Sequence, residues 1–123
     1  MTDAAAIGLD LDGCIDEAPH FFVPLSHAWP GRIYIITYRS DYDQAKSYVD
    51  SFNIKYDELI LVSRFEDKAV VIKDKNIRVY FDDQDEMLMH VADNVAVLKI
   101  RNGGNFDEDS RQWLYSEVTG RQI

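Results

Sequence analysis

This chain is short of cysteine, of positive charge and of long apolar runs. Cys14 is the only cysteine in 123 residues, which excludes an internal disulfide and fits a reducing compartment. Lys and Arg number 13 against 22 Asp and Glu, a net charge of -9. That balance argues against a nucleic-acid surface, because polyanion binding depends on cations that neutralise phosphates. It still allows a small anionic substrate, since a bound cation reverses the field inside a site. No apolar stretch approaches the length of a membrane span. The N-terminus has neither the basic start nor the apolar core of a signal peptide. There is no internal repeat, low-complexity segment or linker. The expectation is a cytoplasmic protein with one domain over residues 1–123 and no membrane association.

What is present suffices for a core: 46% of the residues are hydrophobic, in a chain near the commonest domain length. Residues 4–9 form an apolar run of the kind a buried strand gives. Pro19 suits a first helical position, and Phe21, Phe22, Leu25 and Trp29 recur at helical spacing. Residues 32–36 are a second strand, rich in β-branched and aromatic side chains. A helix over 41–52 follows, with Asp41 as its N-cap. Strands at 59–62, 77–81 and 95–100 are separated by short helices, one opened by Phe65 to Lys68 and one around Met87, Leu88 and Val91. After a turn at 102–105, the pattern predicts an acidic amphipathic helix over 106–118, packed back on the sheet through Trp113, Leu114 and Val118. Strand and helix alternate throughout. The predicted fold is α/β: a three-layer, Rossmann-like parallel sheet of about five strands, with helices on both faces and no cap domain.

Polar residues fall at successive strand ends. Asp10 and Asp12 follow the first strand, with Gly13 allowing a sharp turn. Thr37 follows the second, Lys68 begins the helix after the third, and Asp82 and Asp83 follow the fourth. A parallel sheet gathers these ends at one edge, where open α/β sheets bind their ligands. Each residue type has a use in phosphoryl transfer. One carboxylate attacks phosphorus and a second moves protons. A hydroxyl and an ammonium hold the phosphoryl oxygens. Carboxylates crowded at one edge repel each other unless a cation joins them, so Mg²⁺ is the expected cofactor.

These residues, in this order, resemble the haloacid dehalogenase (HAD) superfamily on its phosphatase side. Asp10-Leu11-Asp12-Gly13 is similar to the first motif of that family, Ile35-Ile36-Thr37 to the second, Lys68 to the third and Phe81-Asp82-Asp83 to the fourth. The resemblance implies Asp10 as nucleophile and Asp12 as general acid/base, with the Asp12 backbone carbonyl also on the metal. It implies Thr37 as a phosphate ligand and Lys68 as the cation that steadies nucleophile and phosphoryl group. Asp83 would ligate Mg²⁺ directly, with Asp82 beside it. Lys73 and Lys75 compete with Lys68, which is preferred because it opens its helix. The family usually inserts a flap or cap after the first motif, whereas here a helix starts by Pro19. The site would then be open, suited to a large substrate or to a second subunit acting as lid.

The expected activity is a capless, Mg²⁺-dependent phosphomonoester hydrolase whose phosphorylated substrate the sequence does not name. A phosphotransferase using the same intermediate, and a binding or regulatory protein that lost turnover, stay open. A receiver-like switch has a different order of acids, Thr and Lys. Arg39 either reaches a substrate phosphate or sugar, or lies on the surface. Asp16, Gln84 and Asp85 read as solvated, His20, His27 and His90 lack ligand spacing, and Cys14 reads as a small apolar filler.

Overall fold

In the computed structural model, which describes residues 4–114, five strands make one parallel sheet. They are β1 (Ala6–Leu9), β2 (Ile33–Tyr38), β3 (Glu58–Val62), β4 (Ile77–Asp82) and β5 (Ala96–Lys99), in the order β3-β2-β1-β4-β5. The helices are α1 (Pro19–Ala28), α2 (Tyr42–Asp50), α3 (Asp67–Asp74) and α4 (Asp85–Leu88). Side chains alternate across β2, and the core divides accordingly. Ile33 and Ile35 pack with Phe22 of α1 and with Ala45 and Val49 of α2. Tyr34 and Ile36 pack with Ile72 of α3, and Leu88 of α4 joins that cluster. Both faces of β2 are therefore covered, which is why its sequence is continuously apolar rather than alternating. The result is the expected three-layer, Rossmann-like α/β architecture.

Local chemistry sets the ends of these elements. The Asp41 carboxylate accepts from the Gln44 N–H at 3.0 Å, the N-cap expected for α2. The Trp29 indole N–H donates to the Ala5 carbonyl at 2.9 Å and ties the end of α1 to the start of β1. Gly8 on β1 leaves room for a neighbour, since a Cβ there would lie 2.8 Å from Cδ1 of Tyr80 on β4. The chain goes from β1 outward to β2 and β3, then returns to β4 on the other side of β1. The switch point thus lies between β1 and β4, with Asp10 just past one carboxyl end and Asp82 and Asp83 at the other.

Two expectations are corrected. β2 continues through Tyr38, so Thr37 lies inside the strand and is fully buried rather than following it. The reason is the partner strand, because Thr37 and Tyr38 pair with Leu61 and Val62 of β3. The helix expected over 106–118 is absent from its described part. Instead β6 (Phe106–Asp107) and β7 (Gln112–Trp113) form an antiparallel hairpin. Asp107 accepts from the Asp109 N–H at 2.9 Å, a local bond that diverts the backbone from a helix. The Phe106 and Trp113 rings meet across the hairpin, 5.2 Å between centroids. Leu114 is the last described residue, and Val118 lies outside the described residues.

Candidate functional site

β1 delivers Asp10 to the sheet edge, and the chain then turns through Leu11–Ile15 with Gly13 at φ 79°. Only Asp16, Glu17 and Ala18 separate that turn from α1. The turn closes on itself, for the Gly13 N–H donates to Asp16 Oδ1 at 2.7 Å. A side chain at Gly13 would run into the Asp83 carboxylate, so this bare backbone lets β1 and β4 bring their acids together.

Lys68 is the centre of the cluster. It projects from the first turn of α3, 1% exposed, and its Nζ donates to Asp10 Oδ1 at 2.7 Å and to Asp82 Oδ2 at 2.8 Å. The competing lysines lie elsewhere: Lys73 is exposed, and Lys75 pairs with Glu58 at 3.2 Å. Asp82 is saturated with donors. Its Oδ2 also accepts from the Tyr80 hydroxyl at 2.6 Å, and its Oδ1 from the N–H groups of Asp83 at 2.7 Å and Gln84 at 3.1 Å. Asp10, Asp82 and Asp83 each offer an oxygen within 4.8 Å of the others, the one such group of potential metal ligands among the described residues. By distance all three qualify as ligands. By hydrogen bonding Asp82 is committed to Lys68, Tyr80 and the backbone, whereas Asp10 and Asp83 keep free coordinating capacity.

Three carboxylates share this space with one ammonium, and the electrostatics follow. Burial pushes the Asp10 carboxyl well above its usual range; Lys68 opposes this, while Asp82 and Asp83 add to it. Asp83 is pushed up to about 6, first by burial and then by Asp82. Burial alone would lower the Lys68 ammonium, but Asp10 and Asp82 outweigh it and hold the group charged, above its ordinary value. The cluster is therefore one that a divalent cation would relieve. Its donors are hard carboxylate oxygens, the chemistry Mg²⁺ prefers.

Asp12 stands apart from this buried group, with its side chain 49% exposed. Arg39 grips it with two bonds, Nε to Oδ2 at 2.9 Å and Nη2 to Oδ1 at 2.7 Å. Thr37 Oγ1 faces the same Oδ2 at 3.4 Å, the long end of hydrogen bonding. Arg39 also lies over the Tyr48 ring, 5.1 Å from its centroid, and the Tyr48 hydroxyl donates to Asp16 Oδ2 at 3.0 Å. Asp10, Asp12, Lys68, Asp82 and Asp83 line one cavity of about 310 Å³. Neither Thr37 nor Arg39 lines it; both reach it only through Asp12, and Thr37 is fully buried within β2. Asp85 pairs instead with Lys99 at 2.6 Å, and Gln84 sits on the cavity wall. Cys14 is buried, and burial followed by the Asp10 charge raises its thiol far above the usual value, in keeping with a small apolar filler. His27 is spent on the Asn53 carbonyl at 2.9 Å, and His20 and His90 are exposed.

Sequence reasoning missed three supporting residues. Tyr80 orients Asp82, and nothing near it in the sequence marks it for that role. Asn102 and Asn105 were read as turn formers alone. Asn102 Nδ2 donates to the Gly13 carbonyl at 2.9 Å and to Asp83 Oδ2 at 3.2 Å. Asn105, 2% exposed, donates to the backbone carbonyls of Asp83 at 2.7 Å and Ile100 at 2.8 Å. The loop after β5 is thus a clamp on the Asp83 end of the cavity.

No protein-family model matches this chain, and a search of curated proteins finds no significant match. The architecture and the geometry of the acidic cluster carry the functional argument.

Proposed function

We propose that this protein is a Mg²⁺-dependent phosphohydrolase of the HAD type, acting on phosphomonoesters through an aspartyl-phosphate on Asp10. The observation that carries the reading is the Lys68 ammonium wedged between Asp10 and Asp82 at the switch point of the sheet. A structural ion pair needs one carboxylate; here a third, Asp83, is drawn in as well, at an electrostatic cost the fold maintains.

Each residue then has a role. Asp10 presents one oxygen to Lys68 and attacks phosphorus with the other, and the bond from phosphorus to the ester oxygen breaks. Lys68 draws negative charge off the equatorial phosphoryl oxygens and keeps Asp10 aligned. One Asp12 oxygen leaves Arg39 and takes a proton from solvent when substrate binds; Asp12 gives that proton to the departing oxygen, then takes one from the water that hydrolyses the acyl phosphate. Arg39 holds the Asp12 carboxyl in place between these two duties, and the Thr37 hydroxyl faces the same carboxyl. Asp10, Asp83 and the Asp12 carbonyl would hold Mg²⁺, which when bound cancels charge on carboxylates and phosphate alike. Asp82 acts on Lys68 rather than on substrate.

The test is phosphate release from a panel of phosphomonoesters, with and without Mg²⁺, for the native protein and Asp10→Asn. Metal-dependent release that disappears in the variant supports the reading. No release from any ester, by a folded protein that binds Mg²⁺, refutes it.

A further inference from the structure

We infer that the mouth of the Asp10 cavity carries an aromatic-ring subsite formed by Tyr38 and Phe65, and that the ester it takes bears a flat unsaturated ring. The phosphate end of this inference rests on the phosphohydrolase reading; the ring end rests on separate residues. Tyr38 is the last residue of β2, and Phe65 lies in the connection from β3 to α3. Both line the cavity that holds Asp10, Asp12, Lys68 and Asp83.

Single exposed aromatics are ordinary on protein surfaces. This pair differs from the others in the molecule. Tyr38 is 49% exposed and Phe65 39%, and their rings lie against each other with centroids 5.3 Å apart. Phe21 is also exposed, but its ring partners Phe22 and Phe81 are buried. The Tyr48–Phe52 and Phe106–Trp113 pairs are half-buried on both sides. Among the ring pairs of the described residues, Tyr38 and Phe65 alone are both exposed, and they are the pair at the acidic cavity. The five residues before Tyr38 in β2 are all buried, so the strand turns from core to cavity rim at this position.

Chemistry selects the ligand. The inner wall carries the acids with Lys68, Gln84 and Met87, whereas the rim offers π-faces. A flat ring stacks there regardless of its substituents. A cavity of about 310 Å³ is at the small end of ligand sites, room for a phosphoryl group and one ring system. An aryl phosphate carries the ring on the ester oxygen, and a nucleoside monophosphate carries it through a sugar.

The experiment compares phenyl phosphate, a nucleoside 5′-monophosphate and glycerol 3-phosphate. Relative kcat/KM is measured for the native protein, Tyr38→Ala, Phe65→Ala and Tyr38→Phe, each first checked for a native unfolding transition. Binding of the same esters to Asp10→Asn is read by calorimetry, alone and combined with Tyr38→Ala. The expected result is a preference for a ring-bearing ester over glycerol 3-phosphate. Removing either ring lowers that preference about tenfold, the order lost with one stacked ring, and Tyr38→Phe preserves it. Which of the two ring esters wins distinguishes an aryl from a nucleoside leaving group. Equal kcat/KM for ring and glycerol esters, or equal losses for both on truncation, overturns the subsite while leaving the phosphohydrolase reading intact. If no ester is turned over, that reading fails and binding decides the subsite. Tyr38-dependent binding of ring esters supports it, and binding unaffected by Tyr38→Ala, or none, overturns it.

Discussion

Replacing Asp83 with Asn should stabilise the metal-free protein, although the residue belongs to the site. Burial and the Asp82 charge raise the Asp83 carboxyl from 3.8 to about 6 in the fold. At about 1.4 kcal/mol per pH unit this gap corresponds to roughly 3 kcal/mol. Asp83 keeps 9% exposure to solvent, so about 1–2 kcal/mol survives screening. The sign follows from proton binding: the folded state holds this proton more tightly than the unfolded chain. Asp83 therefore costs nothing below about pH 4, and stability declines as pH rises through about 6. Asn keeps the shape, turns its amide oxygen toward Asn102 and removes the titrating charge. In EDTA, Asp83→Asn should match the native protein near pH 4 and exceed it above pH 7, by about 3–8 °C in Tm. Calorimetric unfolding across that pH range is the assay. Added Mg²⁺ should raise the Tm of the native protein, since a ligand of the folded state stabilises it, and leave the variant unmoved. A variant no more stable than the native protein at pH 8 without metal would refute the electrostatic argument.

The other predictions concern the frame of the site. Lys68→Met leaves Asp10 and Asp82 buried without their cation, and should cost about 3–5 kcal/mol in urea unfolding at pH 7. A loss below about 1 kcal/mol would mean that the carboxyls take up protons instead. Gly13→Ala puts a side chain at φ 79° against the Asp83 carboxylate. It should lower stability by about 1–3 kcal/mol and abolish the Mg²⁺-induced rise in Tm. A full Mg²⁺ response would show that Asp83 is free to move aside.

How much was readable before the fold was known depended on how far each signal reaches along the chain. The apolar runs of β1, β2 and β4, the Asp41 cap and the acids at strand ends are visible within a few residues. The Phe106 segment misled because its apolar spacing suits a helix, while the Asp107 side chain bonds its own backbone and favours a turn. Thr37 was placed just past the end of β2, whereas the strand runs on to Tyr38, because where β2 stops depends on β3 beside it. Arg39 was left between substrate and surface; packing gave it a third role, the hold on Asp12.

The sequence by itself determined the α/β class and the identity of the acids, because buried parallel strands need apolar runs and a run that breaks off in acids marks where a strand ends. Only the tertiary structure decided which charges meet. It chose Lys68 over Lys73 and Lys75, set Asp82 to anchoring that lysine and clamped Asp83 with Asn102 and Asn105. Hydrogen bonds and charge repulsion act over a few ångströms of space, and these partners lie far apart in sequence until the sheet brings their strand ends to one edge.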